Sequence, residues 1–295
     1  MDANIIDTKE KMLIDELKVD CTKCFGLCCI ALYFSATDGF PKDKEAGVPC
    51  IHLEDGFTCA VHKNLREKGL KGCTGYDCFG AGQKVAEVTF CGRSWREDPK
   101  IAKPMFEAFL IMRQLHEMLW YLTEIDAIER SKEKREEIQV LIGETKEFTL
   151  LPLDALLKLD IENHRLKVNQ LLKYTSGQLQ AEVMSRKISN KNSMKNSKNT
   201  GKSKYRNPFD YIGADLRKED LRGANLMGAC LIATNLSGSD LSYSNLIGAD
   251  LRDANLSGAN LEKSIFLTQA QINTAKGDSK TKLPKRIVRP SHWTK

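Results

Sequence analysis

Residues 244–263 read SNLIG-ADLRD-ANLSG-ANLEK, and in this stretch leucine returns at every fifth position. The register runs outward without interruption through Leu216, Leu221, Leu226, Leu231, Leu236, Leu241, Leu246, Leu251, Leu256 and Leu261. Two positions before each leucine stands a small or polar residue, most often alanine (Ala214, Ala224, Ala229, Ala249, Ala254, Ala259), and the position between is usually Asp or Asn. A period of five matches neither the helical 3.6 nor the strand 2.0. Each unit is therefore expected to form one side of a coil, with its corner between units. Leucine is then the large inward residue and the Ala/Ser/Thr position the small one. The Asp/Asn position and the last two positions are left for turns and solvent.

This unit closely resembles the pentapeptide-repeat family, whose A(D/N)LXX pattern stands almost unchanged in Ala254-Asn255-Leu256-Ser257-Gly258. The resemblance implies a right-handed, quadrilateral β-helix. At four units to a coil, with degenerate units around Tyr211 and Phe266, it implies about 2.5 to 3 coils in a column about 12 to 14 Å tall. Gln269 to Ala275 is expected to cap the column, which otherwise leaves an unpaired edge. Pentapeptide proteins that protect DNA gyrase from quinolones resemble duplex DNA, which presents about one charge per 1.7 Å of axis. The segment from Phe209 to Asp278 carries nine acids and six bases, a net −3, so it is too short and too weakly charged for a good mimic. A docking module for a protein partner is the leading expectation, and a topoisomerase-protecting protein the alternative.

Nine of the ten cysteines lie between Cys21 and Cys91, and the tenth is Cys230. Such crowding favours a local site over a chain-wide disulfide framework. The opening MDANIIDTKEKMLIDELK has neither a basic nor an apolar leader segment, so a reducing, cytoplasmic setting with free thiols is expected. Glycines punctuate Cys21 to Cys91 and no sustained period appears, so turns should dominate. So small and loop-rich a unit commonly needs a metal staple.

Cys21-x2-Cys24-x3-Cys28-Cys29, followed by Cys50, Cys59, Cys73 and Cys78, supplies eight thiols as candidate metal ligands. A CxxC pair allows two thiolates to converge on one tetrahedral ion about 2.3 Å from each sulfur. The arrangement, with Pro49-Cys50-Ile51-His52-Leu53 and Cys59-Ala60-Val61-His62, resembles the eight-cysteine family of putative zinc- or iron-chelating domains over about Cys21 to Gln83. That resemblance carries over ligands but no reaction. In an extended segment Cys28 and Cys29 would point to opposite faces. Either two centres flank that segment, or one of the pair ligates and the other packs as a small hydrophobe. Two zinc sites of four cysteines each, or one iron-sulfur cluster with the remaining thiols structural, both satisfy the count. His52 and His62 are possible substitute ligands but are expected in turns or on the surface, and Cys91 and Cys230 are expected as core thiols.

From Pro104 to Ser185 apolar residues recur at helical spacing, first Met105, Phe109, Met112, Leu115, Leu119 and Leu122, then Leu157, Ile161, Val168, Leu172, Leu179 and Val183. Two or three packed helices follow, with Pro152 near the start of the later one. Met112, Trp120 and His116 are read as packing. Arg186 to Arg206 carries eight basic residues and no acid, and Ser279 to Lys295 six more, so the net charge of +6 belongs to a linker and a tail and the remainder sums to −8. Both segments are read as solvated spacers, with nucleic-acid contact a weak possibility. Thr200-Gly201-Lys202-Ser203 and Gly80-Ala81-Gly82 lack the glycines of phosphate-binding fingerprints. No segment reaches the roughly 20 apolar residues of a spanning helix.

The expected fold class is multidomain α+β. It comprises a cysteine-rich metal-binding domain over 1–98, a helical region over 99–185, a basic linker over 186–207, the pentapeptide β-helix with its cap over 208–278, and a basic tail over 279–295. The expected function is a bacterial metal-binding protein, zinc or iron-sulfur, with a protein-interaction module. An iron-sulfur oxidoreductase is a further alternative. Reaction and oligomeric state are not legible in the sequence.

Overall fold

The computed structural model describes residues 12–193, 211–217 and 219–293. The chain divides into two units, Met1–Leu172 and Lys173–Lys295. The first holds α1 (Leu27–Ala31), α2 (Lys71–Thr74), α3 (Ala81–Lys84), α4 (Ala102–Ile128), α5 (Lys132–Phe148) and α6 (Leu153–Leu156), together with the start of α7 (Ile161–Ser193).

The first unit is built on α4. The predicted stripe of Met105, Phe109, Met112, Leu115, Leu119 and Leu122 is buried along it, and Met118, Trp120 and Tyr121 bury the neighbouring face of its second half. Asp98 accepts the Lys100 amide at 3.1 Å and opens the 3₁₀ turn that leads into α4. After α4, the Ser131 hydroxyl caps α5 through the Lys134 amide at 3.4 Å. Ile138, Leu141 and Ile142 form the buried side of α5, and Thr145 Oγ1 meets His164 Nε2 of α7 at 2.8 Å. Pro152 precedes the short α6 rather than the long α7. Val168 and Leu172 of the expected α7 stripe are buried, whereas Leu157, Ile161 and Leu179 are half-buried.

In the second unit every repeat leucine from Leu216 to Leu261 is buried, as are most of the small residues two positions before them. The local reason lies in the turn. The Ala229 amide donates to the Leu226 carbonyl at 3.0 Å, and the intervening Gly228 has φ +64. A positive φ at that third position defines a type II turn, which explains the glycines at 213, 223, 228, 238, 248 and 258. The Asp/Asn position supports the same turn, because its side chain accepts the amide two residues on, as in Ser237 N to Asn235 Oδ1 at 3.2 Å. Twenty residues later the chain passes its own earlier course, and Asn235 bridges Asn255 as Cys230 bridges Asp250.

These bridges correct the expected fold class. Among the described residues there is no β-strand and no sheet, so the molecule is not α+β and the repeats do not form the expected right-handed quadrilateral β-helix. A strand needs consecutive paired residues, whereas a type II turn every five residues leaves only isolated parallel bridges. The repeats are therefore a stack of turns, and the regular secondary structure of the described residues is helical.

The stack is closed by α8 (Gln269–Thr274), where Thr268 and Gln271 form a capping box. Gln271 Nε2 also donates to the Leu246 and Ala249 carbonyls, at 2.8 Å each, which ties the helix onto the stack. Residues 279–293, read as a solvated tail, instead pack here. Lys282 bridges Asn260, Ile287 and Trp293 are buried, and Trp293 Nε1 donates to the Ala275 carbonyl at 3.1 Å. The C-terminal half of α7 belongs to this unit too, with Lys187 Nζ 2.9 Å from Asp220. Burial works against the Asp220 carboxylate, yet hydrogen bonds from Arg222 and Lys187 hold it down at about 2. The basic tract begun at Arg186 thus starts in helix, and its residues beyond 193, with Thr200-Gly201-Lys202-Ser203, lie outside the described residues. No helix among the described residues is long and apolar enough to cross a membrane.

Candidate functional site

All eight candidate cysteines, Cys21, Cys24, Cys28, Cys29, Cys50, Cys59, Cys73 and Cys78, line one cavity of about 100 Å³ in the first unit, and His52 and His62 line it with them. Each reaches it from a different local device. Asp20 accepts the Thr22 amide at 3.0 Å and starts the 3₁₀ turn that carries Cys21. Gly26, at φ +64, turns the chain into α1, which carries Cys28 and Cys29. The Cys50 amide donates to the Cys29 carbonyl at 2.9 Å. A hairpin follows, in which Leu53 bridges Cys59 and the Ala60 amide donates to the His52 carbonyl at 2.9 Å. Cys73 sits on α2.

Cys78 is held by α4. Arg113 Nε donates to the Asp77 carbonyl at 3.1 Å and His116 Nδ1 to the Phe79 carbonyl at 2.7 Å, one on each side of Cys78. Phe79 accepts the left-handed φ of +50 that this clamp imposes, and Gly80 continues at φ +75. Gly82 must lack a side chain, because a Cβ there would stand 2.5 Å from the Cys24 sulfur. His116, read from the sequence as packing, is thus a positioning residue for the site.

Burial first, and then the hydrogen bond to Phe79 working against it and the Lys84 charge working with it, leave the His116 imidazole at about 4. An unfolded chain binds that proton near pH 6.5, so the stability His116 contributes is complete above 6.5 and is lost as pH falls toward 4, a loss on the order of 3 kcal/mol. Urea unfolding at pH 7 and pH 4.5 of the native chain and of His116→Gln checks this. The variant is expected to lose markedly less stability on acidification. An equal loss in both removes His116 as the cause.

The sequence argument placed Cys28 and Cys29 on opposite faces of an extended segment. Because Leu27–Ala31 is helical instead, their sulfurs lie 4.0 Å apart and both face the cavity. His62 is exposed in a 3₁₀ turn, as expected, and its Nε2, 4.0 Å from Cys21 Sγ, also lines the cavity. Cys29, Cys50 and Cys73 pack in one cluster with Phe34, Phe40 and Leu70. Cys91, expected in the core, is exposed, and Cys230 is half-buried in the turn stack.

Backbone amides point at several of the sulfurs. Leu27 N lies 3.4 Å from Cys24 Sγ and His52 N 3.5 Å from Cys50 Sγ, and the amides of Val61 and of Gly80 and Gly82 bond to Cys59 and Cys78 in the same way. Such donors favour the thiolate, but burial outweighs them and pushes Cys24 and Cys73 to about 12 and Cys78 to about 11. Cys28 is driven up by the hydrogen bond it makes to Cys29, and that same bond draws Cys29 down. Beside them Lys44 buries its ammonium, donating to the Ile30, Glu45 and Val48 carbonyls at 3.3, 3.0 and 2.8 Å. Nothing in the sequence marked Lys44, one basic residue among 45.

The donor set suits a soft metal centre, since thiolate and imidazole are the ligands that zinc and iron-sulfur groups take. Its spread does not suit a single ion. Four sulfurs around one zinc stand about 3.8 Å apart, and among the described residues no group of three His, Cys, Asp or Glu side chains is gathered closely enough to hold a metal ion.

Fold and site together define a chain with a stack of five-residue turns in one unit and a thiol-lined cavity in the other. The family described as pentapeptide repeats matches residues 212–242 and 229–266, in eight copies. Uncharacterized protein YybG of Bacillus subtilis (strain 168) is 49% identical over 278 residues, covering 94% of this chain and 95% of that protein. The chain belongs to the family of YybG. No solved structure matches it.

Proposed function

We propose that the thiol-lined cavity binds a metal centre through Cys21, Cys24, Cys28, Cys29, Cys50, Cys59, Cys73 and Cys78, and that the repeat unit docks a protein partner. One observation carries the first half: eight cysteines dispersed over 58 residues of sequence line a single cavity. The likeness to the eight-cysteine putative zinc- or iron-chelating domains supports the same reading. Eight thiols suffice for an iron-sulfur cluster or for zinc. Such a cluster, when bound, supplies one-electron transfer, and zinc supplies a cross-link. The chain's part is to bring the thiols together, aim amides at their sulfurs and exclude water.

The repeat unit gives little support to nucleic-acid mimicry. Arg217, Arg222 and Arg252 pair with Asp215, Asp220 and Asp250 at 2.6, 3.0 and 2.7 Å, so several acids of an already weakly charged surface are neutralised in place. A protein-docking role stands on the repeats themselves.

The test is elemental analysis with an absorption spectrum on full-length protein purified without air. Iron with acid-labile sulfide and a visible chromophore, or zinc, is expected. A colourless zinc protein would leave a metal centre but end the redox alternative, and protein free of both metals ends the proposal.

A further inference from the structure

The cavity holds a polar group that no protein atom satisfies. Tyr76 lines the cavity, and its hydroxyl, shielded from solvent, has no hydrogen-bond partner. The ring is fixed from outside, with the Arg113 guanidinium 5.5 Å from its centroid, and the same Arg113 holds the adjacent Asp77 carbonyl at 3.1 Å. Cys78 and Cys28 line the same cavity and, among the thiols, weigh most on its electrostatics. A buried hydroxyl without a partner destabilises a fold, and phenylalanine would fill the same space without that cost. A tyrosine here is explained if its O–H has an acceptor when the cavity is filled.

Resting on the metal-centre reading above, we infer that the Tyr76 hydroxyl is a positioning donor that hydrogen-bonds the sulfur-held group in the Cys28 and Cys78 part of the cavity. Sulfur ligands and sulfides in such a group are electron-rich acceptors. An O–H donated to them stabilises the more negative state, which retains the metal and raises the reduction potential of a cluster. Tyr76 is two residues from Cys78, so the loop that α4 clamps delivers the ligand and its donor together.

The test compares full-length native chain with Tyr76→Phe, each reconstituted anaerobically with ferrous iron and sulfide and, separately, with zinc. Tyr76→Phe is expected to surrender its metal to a competing chelator about 10- to 100-fold more readily. In the iron form its reduction potential is expected to fall. The metal-free variant is expected to melt no lower than the metal-free native chain, since without metal the segment that carries Tyr76 is expected to be unfolded in both. Equal metal retention in the two proteins overturns the inference while leaving the metal centre intact. A lower melting point for the metal-free variant overturns it by showing a purely structural role. If the native chain takes up neither iron nor zinc, the metal-centre reading itself fails and this inference falls with it.

Discussion

Stripping the metal from the full-length protein is expected to unfold the cysteine-bearing segment, about residues 20–83, while the turn stack of residues 211–293 stays folded. That segment is mostly loop, with only the short helices α1, α2 and α3. Its own apolar cluster, Phe34, Phe40, Cys50 and Leu70 with a few partly buried neighbours, is small, and Leu27, Ile30, Ala31 and Phe79 add only a few more buried side chains. Such a core offsets little of the entropy of ordering so long a turn-rich chain. Thiolate metal sites contribute on the order of 10 kcal/mol or more to folding, which is comparable to the whole stability of a typical domain. Among the described residues of the repeat unit there is a single cysteine, Cys230, far in sequence from the cluster, so chelation removes nothing there. Limited proteolysis before and after chelation reads the result directly. New cleavage should fall between Cys21 and Gln83, and fragments containing the repeats should survive. An unchanged cleavage pattern after complete removal of metal contradicts the staple.

The second large effect belongs to the stack. Leu241→Ala is expected to cost about 3 to 5 kcal/mol, at the upper end of the range for buried leucine. Leu241 is fully buried, and its amide donates to the Asn260 carbonyl at 2.9 Å on the next pass of the chain. Leucines recur at the same position on neighbouring passes, so the cavity left by one is walled by turns whose backbones are already pinned by bridges and cannot collapse into it. Met227→Ala serves as the contrast. Its side chain is 58% exposed and the change should move stability by no more than about 0.5 kcal/mol. Thermal unfolding of the two variants separates these outcomes, and a loss for Leu241→Ala as small as that for Met227→Ala would refute the inward assignment of the leucines.

Much of the repeat was legible because it depends on contacts close in sequence. Leucine inside, a small residue two positions before it, Asp or Asn at the turn and glycine at the positive φ are each specified within five residues. The same shortness explains the misreading of the fold class. Periodicity shows that the chain returns on itself but not how many consecutive residues pair when it does, and here the turns leave only isolated bridges. The stripe on α4 was legible for the ordinary reason that one helical face is apolar. The packing of residues 279–293 was not, because their charge outweighs Ile287 and Trp293 in any local reading.

By itself the sequence determined which residue types could do chemistry, eight thiols of the right kind, and that a five-residue code brings the chain back on itself with leucine inside. Only the tertiary structure decided that those thiols line one cavity, that Cys28 and Cys29 face it together, and that His116, Arg113, Lys44 and Tyr76 surround it. The physical reason is range. A turn or a helical face is fixed by neighbours along the chain, whereas the surroundings of Cys78 are set by α4, more than twenty residues away, through hydrogen bonds to carbonyls that no side-chain pattern records.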